Sequence, residues 1–392
     1  RSAFSGWVGR WKFCFLVRSL MPLIALFISF SATAQIKLPV QPRVLSARQD
    51  LDKQIAAQFA PVIYQGLGDQ PRFDYITNFD FDGDWKGDNN WANAGNKTYP
   101  LRAYVYFSVV ETATHYFVHY AAFHPRDYKG GLGKSTLVDI LIKEGVRRAG
   151  KDPTGLADDV ALSHENDLEG CLVVAEKRGT DLTQAVVQYV ETLAHNRYLK
   201  LRPAATKNAV GAIVQMKDQH PMLFAEPKGH GITPYVGNRE QLKSSVQGTL
   251  VYSFTGTAEP PDAIRGDAIG YDLISIYDTL WQKAQTGEND TFGEAADFQD
   301  FKVAMRKLDG SEASVEQKVG KIGAAFRGTV GFKNKARPPW GWFDDTEKDR
   351  PRGEWFFNPA GVIARHFSLE ASFAQAYTYH PFLKISYAEP AR

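Results

Sequence analysis

Cysteine is nearly missing from this chain of 392 residues, which holds only Cys14 and Cys171. Cys14 lies in an N-terminal stretch that reads as removable, so the remaining chain has one thiol and no internal disulfide. A domain this long can rest its stability on its core instead. Cys171 sits inside an apolar run and reads as a buried, inert thiol rather than a nucleophile. Charge of one sign is missing too. The 46 Lys and Arg against 44 Asp and Glu leave a formal +2, which gives no chain-wide reason to expect nucleic acid as a partner. There is no internal repeat and no low-complexity tract. The apolar run at residues 21–30 is shorter than the roughly 20 residues a membrane span takes, and no second run of that length follows.

That short run has a different reading. Arg10, Lys12 and Arg18 precede it, and Ala32-Thr33-Ala34 supplies a small-x-small step. Residues 1–34 therefore read as a secretory signal cleaved before Gln35, and the mature protein is expected to be secreted or periplasmic. Residues 35–392 are expected to form a single domain.

Along that domain, residues 47–59 predict a short helix, with Ser46 as N-cap and Gln49 as its capping-box partner. Residues 70–98 are rich in Asp, Asn, Gly and Trp and suit a long structured loop. Residues 101–111 and 115–123 are β-branched and aromatic, and Thr112-Ala113-Thr114 joins them as a hairpin. Residues 128–160, with a helical stretch at 135–148, read as an insertion between strands. Residues 169–177 and 184–194 predict a second hairpin, and further strands are expected at 212–217, 222–226 and 248–254. Residues 271–285 have helical spacing, with Leu273, Ile276, Tyr277 and Leu280 on one face. The Trp- and Pro-rich tail from Gly328 is expected to wrap the sheet edges. The predicted fold is mainly β, an antiparallel sandwich with helical and loop insertions.

The most informative stretch is Ser163-His164-Glu165-Asn166-Asp167-Leu168-Glu169-Gly170, leading into residues 171–175. Side chains alternate along a strand, so Asp167 and Glu169 share a face, and His164 can curl in from the preceding turn. Imidazole nitrogen with carboxylate oxygen suits a divalent ion. The competing reading is turn chemistry with surface charge. Upstream, Tyr120-Ala121-Ala122-Phe123-His124-Pro125-Arg126-Asp127 ends a strand and sets Asp127 at a loop mouth.

Together these segments resemble the necrosis- and ethylene-inducing (NPP1-like) family, in which an aromatic strand ending in Pro-x-Asp precedes a Gly-His-Arg-His-Asp-Trp-Glu heptad. The resemblance puts Asp127, His164, Asp167 and Glu169 on the family's metal positions. Lys228-Gly229-His230-Gly231 followed by Tyr235 is similar to its downstream His-Gly and Tyr step. The resemblance extends to Vps62-like relatives through the His-x-x-Asp-x-Glu strand, Phe59-Ala60-Pro61-Val62 and the Trp/Pro-rich tail. It covers about residues 100–240. Asn166 stands where the heptad has its second histidine and Leu168 where it has tryptophan, and the family's disulfides have no counterpart. His230, Tyr235 and His124 are assigned around the ion or its ligand rather than to the metal's own donors.

Other signals are weaker. Gly131-Leu132-Gly133-Lys134-Ser135-Thr136 has Tyr128 where a phosphate loop needs its first glycine, so no nucleotide is expected. Asp80, Asp82, Asp84 and Asp88 could cradle calcium, but Trp85 and Trp91 hold the EF-hand glycine and glutamate places, and Asx turns explain the loop as well. Two candidate functions emerge. The resemblance implies a metal-dependent binder of a surface glycan or glycolipid head group, acting at a membrane surface, with Mg²⁺ or Ca²⁺ preferred and Mn²⁺ next. The alternative is a metal-dependent hydrolase in which Glu169 or His230 acts as general base.

Overall fold

The computed structural model describes residues 42–128, 163–207, 210–307, 309–330, 336–370 and 372–386. One compact unit runs from Val44 onward. Residues 1–34, expected to be a signal segment, the stretch 135–148, expected to be helical, and the Gly-Lys-Ser-Thr run lie outside the described residues.

The chain enters through helix α1 (Pro42–Gln58) and strand β1 (Val62–Gly66). After the loop of residues 67–103 come β2 (Tyr104–Thr112), β3 (His115–Asp127), β4 (His164–Glu176), β5 (Val186–Leu193) and β6 (Tyr198–Pro203). Short strands β7 (Ala212–Val214), β8 (Met216–Lys217), β9 (His220–Ala225) and β10 (Ile232–Pro234) come next, then β11 (Thr249–Phe254) and β12 (Ala268–Ser275). The β2–β3 and β3–β4 pairs are antiparallel, as are β4–β5 and β5–β6. The two predicted hairpins are therefore present.

The predicted sandwich is not. The strands form one sheet in the order β10-β9-β1-β11-β12-β2-β3-β4-β5-β6-β7. It is mixed, because β1–β9, β11–β12, β12–β2 and β6–β7 run parallel. Its two ends meet: β7 continues through Gln215 into β8, β8 pairs with β9, and Met222 N donates to Gln215 O at 2.8 Å. The sheet is thus nearly closed into a barrel. Alternation along a strand reports that one face is buried, and both architectures satisfy it; only long-range pairing separates them.

Closure makes two cores. The inner one pools Val105, Phe107, Val118, Tyr120, Cys171, Val173, Leu223 and Tyr252 with Phe59, the residue after α1. The outer one lies on the other face of the same strands, where Phe117, Phe123, Leu168 and Leu172 meet Trp340, Trp342 and Trp355. The tail thus covers a sheet face. Its indoles are hydrogen-bonded: Trp340 Nε1 donates to Gly323 O, Trp342 Nε1 to Leu168 O and Trp355 Nε1 to Glu191 Oε2.

Two local expectations change. Residues 271–285 are not one helix; they are the end of β12, a turn and a short helix Leu280–Ala284. Ile269, Tyr271 and Leu273 alternate into the inner core between two parallel neighbours, so period two prevails over the helical spacing. Ser46 does not cap a helix, because α1 begins four residues earlier at Pro42, a residue whose fixed φ and missing N–H suit a first helical turn.

Candidate metal centre

The β3–β4 ladder sets the site. His124 pairs with Asp167, Asp127 with His164, and Ala122 with Glu169. Along β3, Val118, Tyr120 and Ala122 face the inner core, and alternation carries His124 to that side. The same rule puts Asp167 and Glu169 on the face of Cys171. The apolar barrel interior therefore ends in a polar cluster.

Gln65 of β1 orients His124. The Gln65 amide nitrogen donates to Gly66 O at 3.0 Å, which turns Oε1 toward His124 Nε2 at 3.0 Å. That oxygen only accepts, so Nε2 carries the hydrogen and Nδ1 keeps its lone pair. His124 Nδ1 is closed off from solvent and has no hydrogen-bond partner. Burial, and next the adjacent His230, hold the ring well below the usual histidine range, so it stays neutral.

His230 stacks on His124, with centroids 3.7 Å apart and planes 3° from parallel. Its Nδ1 donates to Asp167 Oδ2 at 2.9 Å. Nε2 lies 3.4 Å from Asp74 Oδ1, close enough for charge attraction but without hydrogen-bond alignment. Burial opposes a proton on this ring, yet the two carboxylates outweigh it and raise His230 to about 9. Asp74 is itself fixed by Gly68 N, the Tyr128 hydroxyl and Lys228 N. One donor atom from each of His124, Asp167 and His230 lies within 4.8 Å of the others.

The other expected donors sit beside this trio. His164 Nδ1 donates to Asn166 O at 2.9 Å, which leaves Nε2 facing Asp127 Oδ2 at 3.5 Å. Glu169 has one carboxylate oxygen buried without a partner. Burial first, then the negative charge of Asp167, Asp127 and Glu226, push its carboxyl well above the usual range. The backbone is strained around the same place: Asn166, Lys228 and His230 have φ of 59°, 72° and 54°. Non-glycine residues rarely adopt that region, and such strain gathers at functional sites.

No family model matches the chain, and no curated protein matches it. Among solved structures, a non-toxic HaNLP3 protein overlaps at 14% identity and a TM-score of 0.27, over 46% of this chain and 68% of that one. NLPPya in complex with mannosamine gives 14% and 0.27, over 57% and 71%. Necrosis and Ethylene inducing Protein 2, from the causal agent of cocoa's Witches Broom disease, gives 14% and 0.25, over 46% and 67%. Overlaps at this level set neither family nor activity.

Of the residues expected from sequence, Asp167 joins the trio, while Asp127 and His164 pair with each other on the same ladder. His124 and His230, expected only around the ion, stand in the trio itself. Tyr235 stacks on Tyr64 at 3.6 Å. Gln65 and Asp74 carried no signal in sequence. Strand alternation from Tyr120 did point His124 inward and could have flagged it. The acidic loop is held by its own turns. Asp82 accepts from Asn93 Nδ2 and Asp84 N, and Asp84 from Lys86 N and Asn89 Nδ2.

Proposed function

We propose that the polar end of the barrel binds a divalent metal ion, and that the ion holds hydroxyl groups of a surface glycan or glycolipid head group. The observation that carries the metal is His124 Nδ1, a buried neutral imidazole nitrogen with a free lone pair, beside Asp167 and His230. Gln65 supplies the outer hydrogen bond that metal-binding histidines usually have. In the apo protein the proton on His230 answers the charge of Asp167 and Asp74, a role a bound cation takes over. Two donor sets share Asp167. His124, Asp167 and His230 form a nitrogen-rich set that favours Zn²⁺ or Mn²⁺; Asp127, His164, Asp167 and Glu169 form an oxygen-rich set that favours Mg²⁺ or Ca²⁺. The glycan rests on the resemblance in sequence and on the affinity of an open-sited cation for hydroxyls. The reading includes export, with a mature terminus at Gln35 that N-terminal sequencing of secreted protein tests.

The experiment is a thermal melt of EDTA-treated protein against Zn²⁺, Mn²⁺, Mg²⁺ and Ca²⁺. At a hundredfold excess over Kd an ion adds about 2.7 kcal/mol. Asp167→Asn is expected to abolish the shift. His124→Ala abolishes it if the nitrogen-rich set binds, and His164→Ala if the oxygen-rich set does. No shift with any ion would sink the reading. Glycan-array and liposome binding with and without EDTA tests the ligand, and chromogenic ester, phosphate and glycoside substrates test for turnover.

A further inference from the structure

None of the barrel-end residues lines a second feature, a groove of about 350 Å³ whose walls include Asp84, Trp85, Lys86, Lys283, Asn289 and Asp290. It forms where the loop after residue 78 meets the turn that follows the helix Leu280–Ala284. The walls are tied together before any ligand arrives. Gly87 N donates to Asp290 O at 2.9 Å, and Thr291 Oγ1 to Trp85 O at 2.8 Å. Asn289 braces the turn, accepting from Thr291 N and Phe292 N and donating to Lys283 O and Gly287 O. Arg327 Nε donates to Asn289 O at 2.8 Å and ties that turn to the rest of the fold. Phe79 stacks on Trp85 at 5.8 Å and 18°, and Lys283 Nζ lies 5.1 Å from the indole centroid.

The chemistry of this lining is specific. Phe79 takes one face of the indole and Lys283 Nζ lies over the ring, so the C–H face of a sugar reaches that apolar surface as the flexible Lys283 side chain swings off it to a hydroxyl. Around it stand two carboxylates and two ammonium groups, whose charges cancel. A strongly charged ligand meets as much repulsion there as attraction, whereas a hydroxyl donates to one sign and accepts from the other. A groove of this volume, its backbone walls already tied, holds a mono- or disaccharide with the ordering cost confined to the Lys86 and Lys283 side chains.

We propose that this groove is a saccharide subsite for neutral sugars. Trp85 is its platform, Asp84 and Asp290 accept from hydroxyls, and Lys86 and Lys283 donate to them. It needs no metal and stands independently of the barrel-end reading.

The test uses the full chain treated with EDTA and saturation-transfer NMR on methyl β-glucoside, N-acetylglucosamine and cellobiose. The expected result is saturable transfer to ring protons with a Kd of about 1 mM, weakened about tenfold in Trp85→Ala. Trp85→Ala also removes a packing partner of Phe79, so Asp290→Ala, at an exposed position, is the second variant and is expected to weaken binding several-fold. Absence of transfer to all three sugars overturns the proposal. So does binding that Trp85→Ala and Asp290→Ala both leave intact. Binding that appears only when metal is restored overturns it while supporting the barrel-end site.

Discussion

Asn166 shows how much one side chain can hold. Its Nδ2 donates to Gly87 O and Arg327 O, both at 2.7 Å, and its Oδ1 accepts from Asn90 Nδ2 at 2.7 Å. Three segments distant in sequence meet on one buried amide, at a φ of 59° that asparagine tolerates better than most residues. The position thus fastens the 87–90 loop and Arg327, the residue after the strand Gly320–Phe326, against β4. Asn166→Ala strands two carbonyls and an amide and keeps the unfavourable φ, and is expected to cost about 2–4 kcal/mol in urea denaturation. Asn166→Gly relieves the backbone and should recover part of that loss. Equal stability of the alanine variant and wild type would refute the brace.

At the scale of the element, β3 and β4 form the longest ladder, twelve register pairs from His115↔Glu176 to Asp127↔His164. Gly170 is where the outer layer touches it. A Cβ there would meet Tyr120 O at 2.2 Å and the Trp342 ring at 2.5 Å. Trp342 is held on both sides, donating to Leu168 O and Arg337 O at 3.0 Å, so it has no easy retreat. Gly170→Ala is expected to destabilise by about 1–3 kcal/mol, the usual cost of overpacking. Near-ultraviolet circular dichroism should report the disturbed tryptophan; an unchanged spectrum with unchanged stability would show that the contact is slack. The alternation of β3 and β4 was plain in the sequence, but the demand for glycine at 170 was not, since it comes from an indole 172 positions along the chain.

For the whole molecule, two-layered burial produces histidines that cannot take a proton. His119 is fully buried between Ser108 Oγ and Trp355 O. Burial, the largest influence, lowers it from 6.5 to about 3, and His115 and His380 fall to about 4 mainly for the same reason. The unfolded chain binds a proton at each near 6.5 and the folded chain does not. Their folded values are depressed, so stability falls as pH drops below 6.5 and keeps falling until the folded values are reached. Each contributes a slope of about 1.4 kcal/mol per pH unit in that window. His119→Gln should therefore flatten the dependence of urea stability on pH by about that slope between roughly pH 6 and 4, whatever it does to stability at pH 7. An unchanged slope would mean that His119 is hydrated.

Periodicity and spacing over a dozen residues were enough to read the mainly β character, the two hairpins, the buried thiol of Cys171 and the His-x-x-Asp-x-Glu strand that contains Asp167. All of these are local properties. Closure of the sheet was not legible in that way, because the parallel β1–β9 and β12–β2 pairs join strands far apart in the chain. Nor was the composition of the site. His230 reaches Asp167 across 63 residues and Gln65 reaches His124 across 59. No local pattern encodes such pairs. They arise from closure, which turns the inner faces of β1, β3 and β4 toward one another and leaves the polar ends of three strands to satisfy each other out of water.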